Sequence, residues 1–342
     1  KDKISDCIKS NKSISITTHI DCDGLTSGSI IAKALIREGA RCTLRTSKEF
    51  SKNVVESFKT DSRDFHIITD LGGGFGNELN KTLGDDWIVL DHHQISEEEK
   101  ENENIINSWK YGIDGGSEIC AGGMAYFAAM ALNEKNSDLS EIAVVSALGD
   151  RQDQGEKKSF TGKNFEISNT AKELGLVEID LDLLLVGRET RPLAEALAFT
   201  SQPFIEGLTW NKETCLSVLN SSGIELKEEG RWRVPAELNE NEKKLVIEAI
   251  TKFSSDKNTS EIMAELIGYT YTFPKEDKRS FLRDGREFSS MLNSCGRINH
   301  SGVGMAICMG DRNKILTEGE NILTDYRKMI KEYMNILSNE RW

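Results

Sequence analysis

Four stretches of this 342-residue chain set carboxylates and imidazoles at spacings that could hold metal ions. In ITTHIDCDGL (16–25), His19, Asp21 and Asp23 take alternate positions between a β-branched run and Gly24. FHIITDLGG leads to Asp70, WIVLDHHQ to Asp91, His92 and His93, and IAVVSALGDRQD to Asp150 and Asp153. Carboxylates gathered in one pocket raise each other's pKa and resist ionising together, so such a cluster calls for cations. Oxygen and imidazole donors without thiolate suit Mn²⁺ or Mg²⁺. A single D-x-D-G is ordinarily a turn with a helix cap, and a single Asp-His-His a surface loop. Recurrence is the signal, because all four stretches fall where an α/β sheet would gather them.

Periodicity supplies that sheet. Ser13–Thr18, Arg41–Leu44, Phe65–Thr69 and Trp87–Leu90 read as strands, with helices over Leu25–Glu38, stopped by Gly39, and Asn53–Phe58. Crossovers of this length favour a parallel sheet with right-handed connections, and ligands bind beyond the carboxyl ends of its strands. Adjacent strand ends lie ~4.8 Å apart, so the four stretches converge on one edge. Gly72, Gly73, Gly74 and Gly76 match neither G-x-G-x-x-G nor the Lys-bearing P-loop, and read as a turn whose backbone touches the metal shell. Further along, Thr161–Leu174 and Ile179–Val186 look helical, and 191–211 is a turn-rich connector. Glu237–Phe253 is an amphipathic helix whose apolar arc, from Leu238 through Val246 to Phe253, is wider than one packing face needs. Near the end, a helix over Phe288–Ser294 stops at Gly296, and Met305–Met309 (MAICM) reads as a strand.

A net charge of −13 argues against a non-specific nucleic-acid binder. Between Lys275 and Lys314, however, eight basic residues face five acidic ones, so this stretch is locally positive. Arg297 follows Gly296, where its guanidinium could fork onto a phosphate while the backbone comes close, although a single such arginine is ordinarily a surface ion pair. Seven scattered cysteines without a C-x-x-C pair read as reduced thiols and argue against structural zinc. No apolar run approaches the ~18 residues of a membrane span, and KDKISDCIKS lacks a signal-peptide core. The expectation is a cytoplasmic protein with no membrane partner.

THIDCDG, the Asp70 of IITDLGG, LDHHQ and ALGDRQD resemble, in order and spacing, the four motifs of the DHH phosphoesterase superfamily. Glu287–Asp311, with NSCGR at its centre, resembles the nucleic-acid-binding DHH-associated domain of archaeal RecJ-like nucleases, some of which bind the GINS replication complex. The resemblance implies an α/β fold: a parallel-sheet DHH catalytic domain over 1–190 and a smaller C-terminal α/β domain over 263–342, with a cleft between them. Residues 191–262 would be an insertion that recruits the partner, or a brace between lobes. It also implies two ions, Mn²⁺ or Mg²⁺. Asp21 and Asp70, with His19, would hold one; Asp23, Asp70, His92 and Asp150 would hold the other, with Asp70 bridging. His93 would face the scissile phosphate, Asp91 would orient His92, Asp153 would be a ligand or a helix cap, and Arg297 would bind phosphate with Asn293, Asn299 and His300 as secondary contacts. Two such ions ~3.5–4 Å apart lower the pKa of a shared water for attack on phosphorus. The implied function is exonucleolytic hydrolysis of single-stranded DNA or RNA in replication or repair, at the replisome with GINS. Two alternatives remain: a phosphodiesterase for short oligonucleotides or cyclic dinucleotides, and a non-enzymatic replication scaffold.

Overall fold

The computed structural model describes residues 1–254 and 259–339; residues 255–258 and 340–342, inside the expected 191–262 and 263–342 segments, lie outside the described residues. After α1 (Asp2–Lys9), β1 (Ser13–His19) is buried on both faces from Ile14 to Thr18, as its β-branched run suits. α2 (Cys22–Arg37) crosses to β2 (Arg41–Ser47), α3 (Lys52–Ser57) to β3 (Phe65–Thr69), and α4 (Gly76–Leu83) to β4 (Trp87–Asp91). The short α5 (Glu97–Lys100) precedes β5 (Ile105–Asn107). All five strands are parallel, in the order β2-β1-β3-β4-β5. The connections from β1 and β3 therefore leave in opposite directions, and the two strand ends part at a topological switch point.

Side chains fill both faces of this sheet. Phe58, Ile68, Trp87 and Val89 cluster on one face with Val55, Leu79 and Ile105. Each fully buried Ile or Phe of this kind contributes about 1.5–3 kcal/mol. On the other face lies α2, buried almost all round because α6 (Ala121–Leu132), α7 (Ser140–Gly149) and a later helix cover it. α8 (Gly162–Glu173) packs on α7.

The chain forms two compact units. The first joins Lys1–Gln154, Phe160–Leu174 and Ser289–Trp342; the second is Gly155–Ser159 with Gly175–Phe288. In chain order the second unit holds β6 (Glu178–Leu183), α9 (Leu193–Phe199), α10 (Lys212–Ser221), the hairpin β7 (Lys227–Glu228) and β8 (Arg231–Trp232), α11 (Glu240–Phe253), α12 (Thr259–Leu266) and β9 (Ile267–Thr272). β6 and β9 pair antiparallel, and Leu197, Leu208, Leu219, Val246 and Ile250 anchor a separate apolar core. α13 (Gly285–Arg297) begins in this unit, and its residues from Ser289 group with the first, together with α14 (Ser301–Met309) and α15 (Lys314–Asn339).

Three sequence expectations are corrected. Ile179–Val186 is not helical: EIDLDL alternates at period two and pairs with β9, a partner far along the chain that local periodicity cannot reveal. MAICM belongs to α14, where Val303, Gly304, Ile307 and Cys308 are buried at helical spacing. Gly296 lies inside α13 instead of ending it. The segment expected as a C-terminal α/β lobe thus gives β9 to the second unit and is helical, among the described residues, from Ser289 onward.

Candidate metal centre

Asp21 caps α2, its extended backbone (φ −80°, ψ −175°) letting Oδ1 accept the Gly24 N–H at 3.0 Å. That turn leaves Asp21 Oδ2 2.9 Å from His19 Nδ1, which also lies 3.6 Å from Asp70 Oδ2. Asp23 caps a different helix. Its Oδ2 accepts the Ala121 N–H at 2.8 Å, and its Oδ1 accepts the Gly122 N–H at 2.9 Å and the Ser146 hydroxyl at 2.5 Å. The N-terminus of α6 favours a negative charge there.

Asp70, buried just past β3, has a left-handed backbone (φ 63°), a costly conformation for a residue with a side chain. Its Oδ1 is 3.3 Å from His92 Nε2, whereas Oδ2 faces His19 without a hydrogen-bond partner. One carboxylate therefore points at two groups of potential ligands.

The His92 ring is fixed from behind, since Nδ1 donates to the Gly115 carbonyl at 2.6 Å. A Cβ at Gly115 would lie 1.8 Å from the His92 carbonyl oxygen, so only glycine allows this approach. Nε2 is thereby aimed at Asp23 Oδ2 and Asp70 Oδ1, both at 3.3 Å. Gln152 Nε2 donates to the same Gly115 carbonyl at 2.8 Å and to Asp150 Oδ2 at 2.7 Å.

Charge at this edge is unbalanced. Burial and the nearby Asp23 push Asp70 up to about 6 and Asp150 up to about 7. The carboxylates of Asp21, 2.9 Å away, and Asp70, 3.6 Å away, raise His19 to about 10. Burial lowers the pKa of His92, yet Asp70, Asp23 and Asp150 outweigh it and hold the ring well above its ordinary value. Protonated histidines thus stand where divalent cations would serve better.

The donor set fits such ions. His19, Asp21 and Asp70 form one group, Asp23, His92 and Asp150 a second, and Asp70, His92 and His93 a third, with one ligand atom per residue and all atoms of a group within 4.8 Å. Burial raises the Cys22 and Cys120 thiols well above their ordinary pKa, so they offer no thiolate.

Every expected ligand among His19, Asp21, Asp23, Asp70, His92 and Asp150 is brought to this edge; Asp153 joins none of the three groups. Asp91 plays a different part from the one expected. Its Oδ1 accepts His93 Nδ1 at 2.8 Å and the His92 backbone N–H at 2.8 Å, and its Oδ2 accepts the Gly73 N–H at 2.9 Å. It orients the exposed His93 ring and the glycine turn, while Gly115 orients the His92 ring. The expected nucleic-acid contacts separate. Arg297 and His300 are exposed, Arg297 donating to the Tyr326 hydroxyl at 3.1 Å, but Asn293 Oδ1 accepts the Cys22 N–H at 3.0 Å. Asn299 lines a cavity of about 400 Å³ with Ile20, Arg45, Lys48 and the start of α14.

Sequence reasoning missed Ser146, Gly115, Gln152, Arg45 and Lys48. Ser146 had a signal: it lies four residues before Asp150 on one helix, hence on the same face. Arg45 and Lys48 lie at the carboxyl end of β2, where the strand-end rule applies to basic residues as well as acidic ones.

Comparison with known proteins agrees with this arrangement. The profile of the DHH family's N-terminal domain matches residues 13–149, and that of the DHH-CID domain matches 185–267. An uncharacterised protein of Methanocaldococcus jannaschii is 30% identical over 331 residues, 94% of this chain and 70% of the relative. The fold is similar to that of exonuclease RecJ bound to manganese (TM-score 0.53, 14% identity, 97% of this chain and 66% of that one). It is also similar to Mn²⁺-bound RecJ of Thermus thermophilus (0.52, 14%, 97% and 38%) and to CDC45 of Entamoeba histolytica (0.68, 13%, 98% and 72%). This chain thus spans under two thirds of the length of either RecJ chain. With its motifs gathered at one edge of a parallel sheet, the chain belongs to the DHH family and has a RecJ-like fold.

Proposed function

We propose that this protein is a divalent-metal-dependent phosphodiesterase that removes nucleotides from an end of single-stranded nucleic acid, in DNA replication or repair. The observation that carries the reading is Asp70, a buried carboxylate with one oxygen toward His92 and the other toward His19. His19, Asp21 and Asp70 would hold one ion, and Asp23, His92 and Asp150 the other, with Asp70 reaching this second group through Oδ1 beside His92. Bound there, two ions would supply a water of lowered pKa and neutralise phosphate charge.

The chain's own groups do the rest. Ser146 and the start of α6 fix Asp23, Gln152 fixes Asp150, and Gly115 fixes His92. His93 has its Nδ1 held by Asp91, and that bond raises its pKa and so favours the protonated ring whose Nε2 could donate to a phosphate oxygen. Arg45, Lys48 and Asn299 line a cavity beside Ile20, between the ligands His19 and Asp21, where a further phosphate could sit. The test is degradation of end-labelled single-stranded DNA and RNA with Mn²⁺, Mg²⁺ or EDTA. Progressive shortening with either ion but not with EDTA is expected. Activity confined to substrates of a few nucleotides would favour the short-oligonucleotide reading instead.

The reading includes a partner for residues 191–262. In α11, Val246 and Ile250 are core, while Leu245, Ala249 and Phe253 line a groove of about 420 Å³ against Val218 of α10. The apolar side of this groove, rimmed by Ser221, Ser222, Glu248 and Lys252, supports docking of a GINS-like subunit. Ala249→Glu should abolish co-purification with that subunit and leave hydrolysis of short single strands intact. The fold likeness to CDC45 favours a second reading, a replication scaffold, for which no metal would elicit hydrolysis.

A further inference from the structure

Asn293 was a candidate nucleic-acid contact on sequence grounds, but its side chain is committed elsewhere. It is half-buried on α13, and its Oδ1 accepts the backbone N–H of Cys22 at 3.0 Å. Cys22 is the first residue of α2, so this N–H has no partner within its own helix. It also lies between Asp21 and Asp23, which belong to the two separate ligand groups sharing this edge. One turn further along α13, a Cβ at Gly296 would fall 1.6 Å from the Ile20 carbonyl oxygen. α13 therefore meets the loop on both sides of Asp21, at the Ile20 carbonyl and at the Cys22 amide.

We propose that Asn293 is a positioning residue for the metal centre, acting through its acceptor oxygen to hold the Asp21–Asp23 loop. This rests on the metal-binding half of the function proposed above and not on the identity of the substrate. Asp21 has one oxygen on the Gly24 N–H and the other toward His19, so its direction follows the backbone of this turn. With the Cys22 amide released, the turn is free to rotate and the carboxylate no longer arrives in register with Asp70. Partners that orient metal ligands typically change affinity by ~10–100-fold when removed, and a half-buried bond to backbone belongs at the lower end.

The experiment is a calorimetric titration of the full chain with Mn²⁺ alone, for the wild type, Asn293→Leu and Asn293→Asp, with circular dichroism and thermal melting to establish folding. Asn293→Leu should weaken Mn²⁺ binding about tenfold. Asn293→Asp, which keeps the acceptor oxygen, should restore affinity to within about twofold of wild type. A nucleic-acid contact behaves in the opposite way: both variants would bind Mn²⁺ normally, and the added charge of Asn293→Asp would repel phosphate. Wild-type affinity in a folded Asn293→Leu, or equal losses in both variants, overturns the proposal. Should the leucine variant fail to fold, Asn293→Asp decides alone, since a tenfold loss there contradicts the acceptor role. A wild-type chain that binds no Mn²⁺ overturns this proposal and the metal reading together. One that binds Mn²⁺ but hydrolyses no nucleic acid overturns only the nuclease reading.

Discussion

Asp182 in the second unit and Asp70 in the first are both buried carboxylates at strand ends, and they have opposite company. Arg188 Nη2 lies 2.6 Å from Asp182, Lys243 Nζ lies 3.0 Å away, and the Leu183 N–H donates at 2.8 Å. Burial alone would raise its pKa, but these partners pull it below the ordinary carboxylate range. Neighbouring acids are matched in the same way, Glu242 by Arg233 and Glu237 by Arg279. Asp70 faces Asp23 and Asp21, has only histidines as possible cations, and is pushed up to about 6. A buried acid with its own arginine or lysine is part of the fold. In our proposal, one left among other acids is half of a site whose complement would come from solution.

The largest test of this contrast is Asp70→Ala. It should reduce hydrolysis by about 10³-fold or more at saturating Mn²⁺, because a carboxylate that would serve both proposed ions has no substitute. The melting temperature of the metal-free chain should hold or rise, since the variant removes a crowded buried acid. Asp182→Asn should do the reverse, leaving turnover near wild type while costing about 2 kcal/mol of stability, because two charge-assisted bonds are weakened although Arg188 keeps Glu189 and Lys243 keeps Glu240. Parallel turnover and melting measurements check both. Equal stability losses at the two positions would break the comparison.

A smaller effect is set by pH. Asp70 near 6, Asp150 near 7 and His19 near 10 all lie above unfolded-state values of about 3.9 and 6.5. The folded, metal-free chain therefore holds more protons than the unfolded chain, and the stability these groups contribute is lost as pH rises through their folded pKa values. Asp182 has the opposite sign, its contribution being present above about pH 4 and lost as pH falls through its lowered value. In EDTA, the melting temperature should decline between about pH 5 and 9. Saturating Mn²⁺ should flatten that decline, because the ions require the deprotonated ligands. A melting temperature that rises with pH in EDTA would contradict the assignment of charge at this edge. The smallest effect is expected at Arg297, exposed and donating to Tyr326. Arg297→Ala should raise KM about fivefold with kcat nearly unchanged, since one exposed phosphate contact amounts to about 1 kcal/mol. Steady-state kinetics on single-stranded DNA separates the two.

Legibility in the sequence followed the range of the interactions. The strands β1 to β4 and the acids after them were readable because a β-branched run and the carboxylate that ends it are neighbours in the chain. β6 was misread because its partner β9 lies about 90 residues away, and α14 because five apolar residues suit a strand as well as a buried helix. The expected ligands gather at one edge, while two of the groups that support them differ from expectation. Asp91 is adjacent to His92 and looked like its orienter, but that ring turns to Gly115, 23 residues on. Asn293 is 271 residues from the amide that it holds. Only the folded chain brings such pairs together.

Asp70 is the carboxylate that would join the two proposed metal sites. Low-temperature electron paramagnetic resonance of the full chain titrated with Mn²⁺ tests this without any substrate. Two Mn²⁺ per chain with the spectrum of an exchange-coupled pair is the predicted result, giving way in Asp70→Ala to uncoupled ions. A wild-type spectrum of isolated Mn²⁺ at full loading would contradict a shared carboxylate, and with it the reading of this edge as a two-ion centre.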